Sequence, residues 1–228
     1  MTVFMFVFKR FFRKKANSLS LLFFPLAALF LPTGEWPPMP LGFQYYSIII
    51  LFLASRLAGI IMEDRANRTL LRLSVAPISH LQYLWQNMLA YSVILTGLNL
   101  VFVIAGAVFH GSSMPSPVQL FIIYTVFSMT SLGFSLAWYS LFRNTEAAYN
   151  ILGGVIILMA MLGGVMWPVE NMPDALQRPV MLLPTYWVAE ATTLVSFREP
   201  AVDLIIPMIV LLLFCFAFLL LGSRRKLS

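Results

Sequence analysis

The sequence predicts an all-α polytopic membrane protein, and three observations carry that reading. Hydrophobic residues make up 60% of the 228-residue chain and charged residues only 11%, with a mean hydropathy of +0.87; an ordinary soluble domain carries about 25% charged residues. The apolar residues run continuously, unlike the alternating segments of about 10 residues that build a membrane barrel. The charges collect between those runs. A bilayer core of ~30 Å takes about 20 apolar residues per helix. The length therefore accommodates six transmembrane helices with short loops as a single domain over 1–228, with no separate soluble domain.

The first element is "MTVFMFVFKRFFRKK". On a helix, Phe4, Met5, Phe8, Phe11 and Phe12 share a face opposite Lys9, Arg10, Arg13 and Lys14. Residues 1–15 thus read as an amphipathic helix lying in the membrane interface. A secretory leader fits less well, because phenylalanines precede the basic cluster and no small-x-small cleavage site follows. Span 1, Ala16–Leu31, is short and contains Pro25, so it is either kinked or completed by its neighbours. "PTGEWPPMP" then forms a stiff loop with Trp36 as an interface anchor. Span 2 is Phe43–Met62, and the charged stretch "MEDRANRTLLRLSVAPIS" follows it. Span 3 lies within Leu81–Phe109 and ends at the turn-rich "HGSSMPSP". Span 4 is Val118–Phe142, "RNTE" is a tight connection, and span 5 is Ala147–Trp167. Residues 168–200 hold two short amphipathic helices, and span 6 is Leu204–Leu221.

The basic residues orient these spans. With the N-terminus inside, Lys9, Arg10, Arg13, Lys14, Lys15, Arg65, Arg68, Arg72, Arg143, Arg224, Arg225 and Lys226 face the cytoplasm, and only Arg178 and Arg198 lie outside. Both termini are then cytoplasmic in a multi-pass plasma-membrane protein. The net charge of +6 is accounted for by topology and anionic lipid, with no nucleic-acid partner required.

Catalytic chemistry is missing from this pattern. His80 and His110 fall at opposite membrane edges and cannot share a site. "GFSL" at Gly133–Leu136 is similar to an intramembrane serine nucleophile, but no neighbouring span supplies a base for Ser135, which reads as a helix-packing serine. The single cysteine, Cys215, excludes an internal disulfide and a cysteine-based metal site. None of the nine acidic residues falls well inside a span, which disfavours ion-coupled transport. No G-x-x-x-x-G-K-[ST] loop is present, so the chain has no ATP site of that kind. Arg56 is the one charge within a span; it either snorkels to the cytoplasmic face or lines a polar path. Asn87, Asn99 and Asn150 are further polar groups, suited to helix-to-helix hydrogen bonds or to that path. Glycine pairs at 153–154 and 163–164 allow span 5 to approach another backbone closely, within the subunit or across a dimer.

The charged stretch, 63–79, has a helical pattern. Arg65, Arg68 and Arg72 lie on one stripe and Ala66, Leu70 and Leu73 on the next. Glu63 and Asp64 suit a helix start, Arg72 suits its end, Pro77 stops it, and Ser79 caps the next helix. Physically this is either an interfacial connector or a rigid cytoplasmic knob whose apolar stripe docks into a partner.

The same stretch resembles the cytoplasmic motif of the ABC-2 family of ABC transporter permeases. Glu63, Asp64 and Arg65 match its charged start, and Thr69, Leu70, Leu73, Pro77, Ile78 and Ser79 match the rest; Arg68 stands where the family has glycine and Leu71 where it has glutamate. "PVENMPDALQRPVMLLPTYWVAEA" resembles the family's segment before the last span. The resemblance implies an exporter subunit with no cofactor of its own. A second permease copy or paralogue and a separate ATP-binding subunit, which holds ATP and magnesium, would complete the transporter. Residues Glu63, Asp64, Arg65, Thr69, Leu70, Arg72, Leu73 and Pro77 would then form the ATPase-coupling helix, and 168–200 an extracellular re-entrant region. The apolar, phenylalanine-rich spans suit a hydrophobic or amphipathic cargo such as a drug, lipid or peptide. The alternative from a different class is a membrane scaffold or assembly factor.

Overall fold

The computed structural model describes residues 3–13, 15–34, 37–66, 80–142 and 144–223. They form nine α-helices: α1 (Val3–Arg13), α2 (Lys15–Ala28), α3 (Leu41–Ala66), α4 (His80–His110), α5 (Pro117–Leu141), α6 (Thr145–Leu162), α7 (Asp174–Gln177), α8 (Pro184–Ser196) and α9 (Ile205–Ser223). Short 3-10 turns lie between α4 and α5 and on both sides of α7. Among the described residues, the one extended pairing is an isolated bridge from Thr33 to Pro40.

Four segments are long and apolar enough to cross a bilayer: Leu41–Met62, Trp85–His110, Pro117–Leu141 and Ile205–Gly222. The first and fifth expected spans are shorter. At 1.5 Å per residue the 14 residues of α2 reach about 21 Å. Beyond Ala28, the amides of Leu29, Phe30 and Leu31 bond back three residues and carry the helical path one turn further. Helix α6 stops at Leu162 rather than at Trp167 because Gly164 adopts a positive φ of 80° and turns the chain.

Helix α5 is the axis of the bundle and packs against α3, α4, α6, α8 and α9. Its sequence explains why. Ser128, Ser131, Gly133, Ser135 and Ala137 are buried small residues that let neighbouring backbones come close. Gly133 lies against the Cys215 carbonyl and Phe218 of α9, and Gly222 of α9 lies against Leu136 and Ala137 of α5. The hydroxyls do not stay unsatisfied. Ser131 donates to the Phe127 carbonyl (2.7 Å) and Ser135 to Ser131 (2.8 Å), while Thr130 lies 2.9 Å from the Leu211 carbonyl of α9.

A closed hydrogen-bond circuit joins three helices. Tyr46 on α3 donates to Asn99 Oδ1 on α4 (2.8 Å), and Asn99 Nδ2 donates to Ser128 on α5 (3.0 Å). Ser128 donates to the Tyr124 carbonyl (2.7 Å), and the Tyr124 hydroxyl donates to the Phe43 carbonyl (2.7 Å), back on α3. Tyr46 stacks on Phe102 at 3.8 Å, and the Phe43 ring fills the space where Gly106 has no side chain. Fifteen residues along α5 from Tyr124, Tyr139 donates to the Ser55 carbonyl (3.2 Å), so α3 and α5 are tied at two levels.

Two features differ from the sequence expectations. Helix α1 buries Val7 and Phe11, with Phe4 and Phe8 partly buried beside them, whereas Met5 is 47% exposed. The apolar face is rotated because α1 packs on α4 and α2 rather than facing lipid alone; the Phe4 amide donates to Gln86 Oε1 (3.2 Å). Helix α3 also runs through Glu63 and Asp64 to Ala66. No breaker separates Met62 from Ala66, so Glu63 and Asp64 continue α3 instead of opening a separate helix.

Asn99→Ala should cost about 1 kcal/mol by stranding the Tyr46 hydroxyl. Gly106→Ala, which must displace the Phe43 ring, should cost about 2 kcal/mol. Thermal unfolding in detergent checks both; an unchanged midpoint in both variants would rule out the circuit and its glycine contact as stabilising elements.

Candidate functional site

The residues expected to act do not converge on one place. Arg56 is exposed on α3 and Asn150 is exposed on α6, while Asn87 and Asn99 are fully buried in α4. Asn99 is a helix-to-helix group, as its two bonds in the circuit show. Glu63, Asp64 and Arg65 sit in the last turn of α3. Thr69, Leu70, Arg72, Leu73 and Pro77 lie outside the described residues. Ser135 is completely buried and bonded within its own helix. His80 and His110 begin and end the 31-residue α4, about 45 Å apart along its axis. His110 instead sits 3.0 Å from the Leu29 carbonyl. Among the described residues no three His, Cys, Asp or Glu side chains form a metal-binding group.

Among the described residues, a polar cleft lies at the opposite end of α3 from its acidic pair. It is built by a chain reversal after α6. Gly164 takes the left-handed conformation, and the Val165 amide bonds back to the Ala160 carbonyl (3.1 Å), as in a Schellman helix end. Thr185, in the first turn of α8, donates to the Met159 carbonyl (2.6 Å) and occupies the space that a side chain on Gly163 would need. Gln44 of α3 donates from Nε2 to the Val165 carbonyl (2.8 Å). Three helices therefore meet at 163–165. The 163–164 glycine pair serves contacts within the chain, whereas Gly154 has no neighbour that a side chain would meet.

Two clefts open from this junction and share Gly164, Ala189 and Thr193 in their walls. Gln44 and Thr192 line the narrower one. Glu170, Tyr186 and Glu190 line the other. Glu190 is half-buried on α8, which is not one of the long apolar spans. Its carboxyl is pushed up, first by burial and then by the negative charge of Glu170. The Tyr186 phenol is raised for the same reasons, by burial and by both carboxylates. Sequence reasoning passed over this cleft. The available signal was "TYWVAEATT", where Glu190 is the lone charge in an otherwise uncharged helix.

Residues 41–224 match the sequence model of the ABC-2 family transporter proteins. The chain belongs to the ABC-2 family. The match begins where α3 begins and includes every helix from α3 to α9, with α1 and α2 preceding it. An ABC-2 protein is a membrane-integral subunit of an ABC transporter and is not itself an ATPase. No curated protein sequence matches this ABC-2 chain.

A raised carboxyl pKa favours the protonated form, so the stability linked to Glu190 is full below the ordinary glutamate range and is lost as pH rises through the elevated value. Glu170→Gln removes the second cause and leaves burial in place. It should therefore lower the Glu190 midpoint without restoring the ordinary value, read from the Glu190 carboxyl signal in glutamate-labelled NMR. An unmoved midpoint would show that the two carboxylates do not interact.

Proposed function

We propose that this chain is the permease subunit of an ATP-driven exporter that moves a hydrophobic or amphipathic cargo outward across the plasma membrane. The observation that carries this reading is the family match over 41–224. The absence of a G-x-x-x-x-G-K-[ST] loop supports a separate ATP-binding subunit as the energy source, with ATP and magnesium bound there. Residues 63–79 are proposed as the coupling helix seated in that subunit. Their place in the chain supports this: they join α3 to α4, and α1 packs on the early part of α4 through the Phe4 amide and Gln86. The same end carries most of the lysines and arginines, in keeping with a cytoplasmic orientation. A second permease copy or paralogue completes the transporter, and the open side of α6 at Gly154 is available for it. The segment 168–200 is then the extracellular re-entrant region, with its short helices α7 and α8.

Co-purification tests the assembly. A tagged chain expressed with its transporter genes should bring down an ATP-binding subunit; a chain that never does so would be a scaffold or assembly factor. Leu70→Asp combined with Leu73→Asp should abolish export and ATPase association while membrane insertion stays normal. Full export in that variant would sink the coupling assignment. Arg56→Ala should reduce transport at unchanged protein level, as expected of an exposed side chain on α3. Loss of the protein from the membrane would instead make Arg56 structural.

A further inference from the structure

Helices α3 and α6 bring exposed polar side chains to one level of the bundle. Two sets of contacts fix their register independently. Trp138 and Tyr139 are consecutive on α5; Tyr139 donates to the Ser55 carbonyl of α3 (3.2 Å) and Trp138 to the Ala148 carbonyl of α6 (3.0 Å). Arg56 follows Ser55, and Tyr149 and Asn150 follow Ala148. The second contact does not involve α5: the Phe52 ring lies 3.9 Å from the place a Gly153 side chain would take. As the numbers rise along α3 through these contacts they fall along α6, so the two helices are antiparallel. One turn on from Phe52 is Arg56, and one turn back from Gly153 is Tyr149, with Asn150 next to it. Arg56, Tyr149 and Asn150 are all exposed, whereas Asn99 is buried in the interhelical circuit.

This level lies inside the apolar segment. Arg56 is six residues from the end of Leu41–Met62, about 9 Å along the axis. An ionisable side chain at membrane depth faces a polar partner or a water-filled cavity rather than acyl chains. Space is available beside it, because a side chain on Gly154 would meet nothing within 4 Å. The three side chains are N–H and O–H donors, and Arg56 alone offers five N–H groups, more than one contact within the protein uses. The nearest acids on these two helices, Glu146 and Glu63, stand about one and two turns nearer the end that carries 63–79. We propose that the α3–α6 seam at Arg56, Tyr149 and Asn150 binds the anionic head group of an amphipath, a carboxylate or phosphate, whose apolar tail lies along Phe52, Gly154 and Ile157. The guanidinium fork takes two oxygens of such a group, and the amide and phenol take others. Snorkelling alone would account for Arg56 but gives Asn150, at the same level, nothing to do. The head group could belong to an exported acid or to an anionic phospholipid. Assignment to cargo rests on the permease reading, whereas anion binding itself does not.

The test uses the full-length chain in nanodiscs of phosphatidylcholine, which is net neutral, with empty nanodiscs subtracted. Calorimetry should show saturable binding of dodecyl phosphate below its micelle concentration. Dodecanol, with the same tail and no charge, should bind at least about tenfold more weakly. Arg56→Gln should weaken dodecyl phosphate by a similar factor. Asn150→Ala, at an exposed position, should weaken it about fivefold and carries the test if Arg56→Gln fails to insert. Equal binding of dodecanol would overturn the proposal. So would full affinity in Asn150→Ala or in an inserted Arg56→Gln, which would leave the seam to subunit contact or to a snorkelling arginine. Adding phosphatidylglycerol separates the two sources: competition assigns the site to a lipid head group, and its absence assigns it to an exported acid. Because no ATPase is present, failure here leaves the permease reading standing, and failure of co-purification leaves this binding result standing.

Discussion

Helices in a bilayer cannot rely on the hydrophobic effect to hold them together, because lipid tails are as apolar as the side chains they would replace. The circuit from Tyr46 through Asn99, Ser128 and Tyr124 to the Phe43 carbonyl answers that problem. It begins and ends on α3, crosses α4 and α5, and satisfies each of the polar groups it buries. Close packing then follows from it. With α3, α4 and α5 held together, Tyr46 can stack on Phe102, and Phe43 can sit over Gly106. The outer helices use weaker devices. Helix α9 is fitted to α5 through Gly133, Gly222 and one hydroxyl from Thr130, with much of its apolar surface left outward. That outward surface is what a lipid-facing helix requires.

Composition and run length were enough to read the class of the fold, because the bilayer imposes one length and one kind of backbone satisfaction on every span. Asn99 was readable as an interhelical group for the same reason: a polar side chain in the middle of an apolar run has to find a partner. What could not be read was which residues meet across helices. Gln44 and Glu170 are separated by 126 positions and share a junction only because Gly164 reverses the chain. Glu190 was seen only as lying outside the spans. Its proximity to Glu170 depends on the path of 163–190, which periodicity does not describe. The α1 face was misjudged by one step of the helix, with Val7 in place of Met5, because the partner surface on α4 and α2 was not visible in the local pattern.

The two ends of the molecule are joined most directly by α3. Its 26 residues reach about 39 Å, with Gln44 near one end and Glu63, Asp64 and Arg65 in the last turn of the other. The circuit and the Tyr139–Ser55 bond lock α3 to α4 and α5. Helices α6 and α8 attach to that unit differently. Side-chain bonds at these contacts include Gln44 to the Val165 carbonyl, just past α6, and Trp138 to the Ala148 carbonyl, and Thr185 joins α8 to the Met159 carbonyl of α6. The cleft lies where the locked unit meets α6 and α8. In a permease driven from the 63–79 segment, a force applied at the end of α3 would be delivered through a stiff helix to Gln44. A tilt of α3 against α6 would strain the Gln44–Val165 bond and change the spacing between Gln44 and the two carboxylates. The contact between α3 and this region is direct at one point, the bond from Gln44 to the Val165 carbonyl in the turn that leads on to Glu170.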